Sequence, residues 1–178
     1  VIGKENLWAQ RPAVFIFNHR NNYDAFMAAK LIEKDFTGVG KKELENHWLT
    51  GTIGKLADVA FIDRADSKGS VEALKPIEEL ARKGISICLA PEGNRVDTEL
   101  VGEFKKGAFR MAMAAGIPIV PIVFRNAEMI AARDAAVMSP GTVDAAVLAP
   151  ISVDDWTLDN LSEKIEDLRQ LYIDTLTN

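Results

Sequence analysis

The chain has 178 residues, 48% hydrophobic and 26% charged, which fits one globular domain with a buried core and excludes a disordered or fibrous class. Its net charge of -5 weighs against a dedicated nucleic-acid binder, whose affinity comes from a surplus of Lys and Arg. The lone cysteine, Cys88, excludes an intrachain disulfide and fits a reducing compartment. No run approaches the ~18 uninterrupted apolar residues of a membrane-spanning helix, and no signal peptide is apparent. A chain that opens on Val1 rather than Met is compatible with an additional upstream domain or membrane anchor.

Taken in order, short apolar runs alternate with amphipathic stretches. Ala13–Phe17 is a first strand, followed by a polar turn and a helix over Asp24–Lys34, whose acidic first residue suits the positive end of a helix. Val59–Ile62 is a second strand. Ser70–Lys83 puts Val71, Leu74, Ile77 and Ala81 on one stripe and stops at Gly84. Ile85–Ala90 is a third strand, Gly107–Ala115 a helix, and Ile117–Phe124 and Val143–Leu148 the last strands. The closing helix, near Leu158–Leu176, carries Leu161, Ile165, Leu168 and Tyr172 at helical spacing. The strands are short, rich in β-branched or aromatic residues and bounded by polar, Gly or Pro residues, as strands buried on both faces are. This alternation predicts an α/β fold, a mostly parallel sheet flanked by helices, with residues 1–178 forming a single domain. In such sheets ligands gather where strands end and helices begin.

The segment Asn18-His19-Arg20-Asn21-Asn22-Tyr23-Asp24 occupies the first such junction. His and Asp five residues apart across a strand–loop–helix turn can fold back on one another. Asp24 would then accept a hydrogen bond from one ring nitrogen of His19, leaving the other to take a proton from a hydroxyl. This is the base-and-orienter logic of a triad, with the nucleophile supplied by the substrate. Such spacing also arises by chance for roughly one His in twenty. His47 has no partner at useful spacing and reads as structural or surface.

The segment 18–24, N-H-x-x-x-x-D, resembles the first motif of the lysophosphatidate (PlsC-type) glycerolipid acyltransferase family. Further resemblances follow in order: Gly40-Lys41-Lys42-Glu43-Leu44 to the Lys-containing segment and Val59-Ala60-Phe61-Ile62-Asp63-Arg64 to the second motif. Ala90-Pro91-Glu92-Gly93-Asn94-Arg95 is similar to the third motif, usually P-E-G-T-R-S. Phe104-Lys105-Lys106-Gly107-Ala108-Phe109 and Gly116-Ile117-Pro118-Ile119-Val120-Pro121-Ile122 resemble the closing segment and the fourth motif. The sequence departs from the common pattern at Asn21 and Asn22, at Asn94 and Val96, and at Trp48, where the family often has Ser, Thr and Ser, and Pro. These departures bear on acceptor and acyl-chain preference rather than on the charged positions.

The resemblance implies an acyltransferase domain. It would move a fatty acyl group from acyl-CoA or acyl-carrier protein to the free hydroxyl of 1-acylglycerol-3-phosphate, with His19 as base and Asp24 as its partner. It implies no cofactor or metal beyond the thioester donor. Lys41, Arg64 and Arg95 would hold the acceptor phosphate, Arg being suited to bidentate binding and Lys to a point charge. Each of these residues alone equally fits a solvated surface charge. Lys105 and Lys106 either join that patch or face water. Glu92 would orient the acceptor or a neighbouring Arg, and backbone N–H groups near Gly93 would stabilise the oxyanion. The partners implied are a lysophospholipid, an acyl thioester and a peripheral contact with the cytoplasmic side of a membrane, with no nucleic acid. Trp8 and Trp48 are candidates for that contact. Phe26, Met27, Met111 and Met113 fit core packing better than an acyl-chain site. The alternatives are another acceptor (glycerol-3-phosphate, another lysophospholipid or a glycolipid), a thioesterase, and a non-catalytic lipid-binding module.

Overall fold

The computed structural model describes residues 1–21, 23–41, 60–62, 71–93, 100–133, 135 and 137–177. In chain order they form α1 (Asn6–Ala9), β1 (Val14–Phe17), α2 (Asp24–Ile32), β2 (Phe36–Lys41), β3 (Ala60–Ile62), α3 (Val71–Arg82) and β4 (Ser86–Leu89). These are followed by α4 (Gly107–Ala115), β5 (Ile119–Arg125), α5 (Ala127–Ile130), β6 (Asp144–Val147) and α6 (Leu161–Thr177). The strands make one sheet of order β3-β2-β4-β1-β5-β6. All neighbours are parallel except β5 and β6, which pair antiparallel from Ile122 opposite Val147 to Arg125 opposite Asp144. The α/β fold with a mostly parallel sheet is as the alternation predicts.

The central strands read as unbroken apolar runs because helices cover both faces. Val14–Phe17 and Ser86–Leu89 are buried at every residue. Alternation then sorts their side chains into two cores. Val14, Ile16, Ile87, Leu89 and Ile119 pack with α4 and with Leu161, Ile165, Leu168 and Tyr172 of α6. Phe15, Phe17, Cys88, Val120 and Ile122 pack on the opposite face with Ala28 and Ile32 of α2.

The structure departs from the sequence reading at four elements. The strand Phe36–Lys41 escapes the sequence reading because two glycines and a threonine among its six residues break the apolar run. Val143–Leu148 is indeed a strand region, but it lies at the antiparallel end of the sheet, with Ala145 and Val147 buried on one side, Ala146 and Leu148 only half-buried on the other and Asp144 exposed. The helix after the first strand stops at Ile32 rather than Lys34, since Glu33 and Asp35 take left-handed φ values of 69° and 55°. The last helix begins at Leu161, after a reciprocal capping turn in which the Thr157 N–H donates to Asn160 Oδ1 (2.8 Å) and the Asn160 N–H to Thr157 Oγ1 (3.3 Å). Among the described residues no helix is long and apolar enough to cross a membrane.

Candidate active site

Parallel pairing brings the carboxyl ends of β4, β1 and β5 to one edge, with Ile16 opposite both Leu89 and Pro121. The next residue after β1, Asn18, is fully buried and extends the ladder with its side chain. Its Nδ2 donates to the Phe124 carbonyl (2.8 Å), while its Oδ1 accepts the Phe124 N–H (2.7 Å). His19 therefore leaves the sheet from a fixed point.

The chain then turns so that Asp24, the first residue of α2, faces back toward His19. Asp24 has no exposed surface and shares the buried side of α2 with Ala28 and Ile32, four residues apart each. Its Oδ2 lies 3.1 Å from His19 Nδ1 and accepts the Asn21 N–H at 2.7 Å as well as the Arg20 N–H. Oδ1 is buried with no partner among the described residues. An ionised carboxylate only accepts hydrogen bonds, so against an ionised Asp24 the shared proton lies on His19 Nδ1. The imidazole is 24% exposed, open enough to meet a substrate. It also stands edge-on to Phe17 at 6.1 Å, which limits its rotation.

The sequence reading passed over Asn21 except as a departure from Ser, yet this residue staples the turn to the following elements. Its fully buried amide donates to the Ala127 (2.8 Å) and Ala131 (3.1 Å) carbonyls and accepts the Tyr23 N–H (2.8 Å).

Glu92 sits just beyond β4, beside the His19 corner. It is only 4% exposed, and each carboxylate oxygen accepts a backbone N–H at 2.8 Å, Oε1 from His19 and Oε2 from Gly102. Burial raises its pKa above the ordinary carboxylate value, against the lowering effect of those two N–H groups and the nearby Arg20 and His19. Both Glu92 oxygens are thus engaged by main chain, while Arg64 and Arg95, arginines of the neighbouring motifs, lie outside the described residues. Gly93 has a left-handed φ of +74° that disfavours any other residue. Its N–H donates to the Ala90 carbonyl at 3.2 Å, so this amide closes the turn instead of standing open for an oxyanion.

The expected cations fare unequally. Lys105 is exposed and lies against Gly93, and its N–H donates to the Pro91 carbonyl (2.7 Å), which puts it at the same corner as Glu92. Lys106 points away, its Nζ donating to Ser162 Oγ at 2.8 Å. Lys41 is the last residue of β2, at the same sheet edge as the ends of β4 and β1. Its side chain lies outside the described residues, as do Arg64, Arg95, His47 and Trp48.

Beside the His19–Asp24 turn a groove of about 550 Å³ runs between α2 and the β5–β6 side of the sheet, lined by Tyr23, Phe26, Met27, Leu31, Phe124 and Met138 among others. Met111 belongs to the core, as expected, while Met113 and Met27 are half-buried, each packed against one of the two core faces. Phe26 does not: it is 66% exposed at the groove, the opposite of the core reading. Trp8 is half exposed beneath the Arg11 guanidinium, 4.0 Å from its ring centre. Cys88 is buried, and burial pushes its thiol up to about 12, which leaves it protonated and inert as a nucleophile near neutral pH.

Comparison with known proteins agrees with this picture. Residues 1–125 match the model of the family described as Acyltransferase. The 1-acyl-sn-glycerol-3-phosphate acyltransferase of Saccharomyces cerevisiae is 32% identical over 99% of this chain and 59% of its own length. The enzymes of that name from Cocos nucifera and Escherichia coli K12 are 30% and 31% identical, over 92% and 89% of this chain and 54% and 64% of their own. This chain thus spans about three fifths of the length of the curated relatives it matches. The crystal structure of the 1-acyl-sn-glycerophosphate (LPA) acyltransferase PlsC from Thermotoga maritima shares the fold, with a TM-score of 0.75 over 97% of this chain and 69% of that one at 20% identity. With the family model matching well over half of its residues, the chain belongs to the Acyltransferase family, that of the PlsC-type glycerolipid acyltransferases its motifs resemble.

Proposed function

We propose that this domain transfers a fatty acyl group from acyl-CoA or acyl-carrier protein to the free hydroxyl of 1-acylglycerol-3-phosphate, forming phosphatidate. The observation that carries the reading is the His19–Asp24 contact at the carboxyl edge of a parallel sheet. The names of the relatives support the choice of acceptor.

In this reading His19 Nε2 takes the acceptor's hydroxyl proton as the oxygen attacks the thioester carbonyl carbon. The tetrahedral oxyanion collapses, the C–S bond breaks, and the imidazolium returns its proton to the leaving thiolate. Asp24 stabilises the imidazolium and fixes the ring. No acyl-enzyme is needed, in keeping with the protonated, buried Cys88. Lys41, Arg64, Arg95 and Lys105 supply positive charge for the acceptor phosphate, while Glu92 and Gly93 shape the corner. The apolar lining and volume of the α2 groove suit a hydrocarbon chain. A substrate held in a bilayer calls for peripheral contact with a membrane, on its cytoplasmic side where acyl-CoA and acyl-carrier protein are available.

The test is free-thiol release from acyl-CoA, with and without lysophosphatidate, for the wild type and His19→Ala. Acceptor-dependent release that falls by about 10²–10⁴-fold in the variant is expected for loss of a general base. Release without acceptor, equal in rate to that with it, would instead identify a thioesterase. Unchanged release by His19→Ala would remove His19 from the chemistry.

A further inference from the structure

Glu92 is an unusual residue to find so deeply placed. A buried carboxylate persists when its oxygens have partners, and both of its partners here are main-chain N–H groups on separate segments. Oε1 holds His19, and Oε2 holds Gly102, each at 2.8 Å. The bond to His19 fixes the backbone of the residue whose ring does the chemistry.

The Gly102 end of this link is itself anchored. Arg169, on the C-terminal helix α6, donates from Nε to the Gly102 carbonyl (2.9 Å) and from Nη2 to the Val101 carbonyl (3.1 Å). Its remaining nitrogen, Nη1, is held by Glu166 (2.8 Å), so the fork is oriented on its own helix. One turn along, Tyr172 is fully buried and donates its hydroxyl to the Ile16 carbonyl at 2.7 Å, three residues before His19. Its ring meets Phe104 edge-on at 5.3 Å, and Phe104 closes the same Val101–Phe104 segment. The helix therefore grips both the strand that delivers His19 and the loop that braces Glu92. Arg169 and Tyr172 lie beyond residues 1–125, the part that matches the family model, while their partners lie within it.

We propose that Glu92 is a positioning residue for His19, and that Arg169 completes the positioning from the C-terminal helix through the Val101–Gly102 turn. The proposal rests on the reading of His19 as the base. It assigns Glu92 no contact with the acceptor: the carboxylate is only 4% exposed, and each of its oxygens already accepts a main-chain N–H. A general base works only within hydrogen-bond reach of its proton, and displacements of about 1 Å can cost about 10²-fold in rate. Loosening the chain of contacts should therefore lower kcat and leave acceptor affinity alone.

The experiment uses the full chain with Arg169→Ala, Arg169→Lys, Glu92→Gln and, as a control on the same helix, Gln170→Ala, whose exposed amide donates to Asp174 of its own helix. Glu92→Gln keeps the shape but can accept only one of the two N–H bonds. Two measurements are made: kcat and KM for lysophosphatidate, and the imidazole C–H signals by NMR. The chain has only two histidines, and His47→Gln assigns the other signal to His19. For Arg169→Ala and Glu92→Gln a fall in kcat of about tenfold or more with KM within about twofold is expected, with a displaced His19 signal. Arg169→Lys, which can still reach one carbonyl, should recover part of the loss, and Gln170→Ala should match the wild type. A rise in KM at constant kcat in Glu92→Gln would overturn the proposal and return Glu92 to the acceptor. So would an unmoved His19 signal in a folded Arg169→Ala. If no protein releases thiol, the acyltransferase reading fails, while the NMR comparison still decides the positioning claim.

Discussion

On one side of the site, the turn from Asn18 to Asp24 is held by hydrogen bonds almost residue by residue: Asn18 to Phe124, His19 to Glu92 and Asp24, Asn21 to Ala127 and Ala131. Asn18, Asn21 and Asp24 have no exposed surface. On the other side, the groove along α2 is lined by Phe26, Met27, Leu31 and Met138, with Phe26 and Met138 more than half exposed. In the proposed reaction the first side moves a proton, a directional step that fails with small misplacements, which matches a wall held by groups that tolerate only one geometry. Contact with a hydrocarbon is non-directional and scales with area, so the groove can be built from long, adaptable side chains. The two regions should therefore respond to substitution in different currencies, rate on one side and chain selectivity on the other.

The largest effect should come from Asp24→Asn. The amide can still accept the Arg20 and Asn21 N–H groups through its oxygen, but it no longer carries the charge that stabilises an imidazolium. The reaction rate should fall by about 10²–10⁴-fold, with far-ultraviolet circular dichroism unchanged. A rate within a few-fold of the wild type would mean that the carboxylate only organises the turn. Next in size is Asn21→Ala, which strips partners from two carbonyls and from the Tyr23 N–H. A loss of about 1–3 kcal/mol is expected for buried groups left unpaired, seen as a lower urea midpoint at constant slope. A midpoint shift under about 0.5 kcal/mol would show that water replaces the amide without cost.

This contrast also explains what could be read in the sequence. The His19–Asp24 pair is local, five residues across one turn, so spacing alone suggested it. The strands at Val14, Ser86 and Ile119 were legible because burial on both faces writes a continuous apolar run. The inward side of α6 was legible for a related reason, since Leu161, Ile165, Leu168 and Tyr172 repeat at helical period. Strand β2 was not, because Gly38 and Gly40 carry no hydrophobic signal and its place between β3 and β4 rests on main-chain pairing. Glu92 was singled out by its motif, but its task was hidden. Its partners are backbone N–H groups 73 and 10 residues away, and a main-chain donor leaves no trace in residue type. Arg169 was passed over for the same reason, because both carbonyls it binds belong to residues whose side chains are irrelevant to the contact.

The smallest effect on folding, and the sharpest test of the groove, belongs to Phe26→Ala. The residue is 66% exposed, so its removal should shift stability by no more than about 0.5 kcal/mol. It lies two residues from Asp24 yet makes none of the bonds that fix the turn, so the chemical step itself should be intact. What changes is the apolar wall available to a long chain. At ~0.8 kcal/mol per buried methylene, losing contact with one or two of them should lower kcat/KM for a long-chain acyl-CoA by roughly fivefold relative to a short-chain one. A uniform fall for both donors would mean that Phe26 acts on the His19 side after all, and the division between a rigid chemical wall and an adaptable recognition wall would not hold. An unchanged ratio and rate would move the acyl chain out of this groove and leave the exposed ring to some other apolar contact.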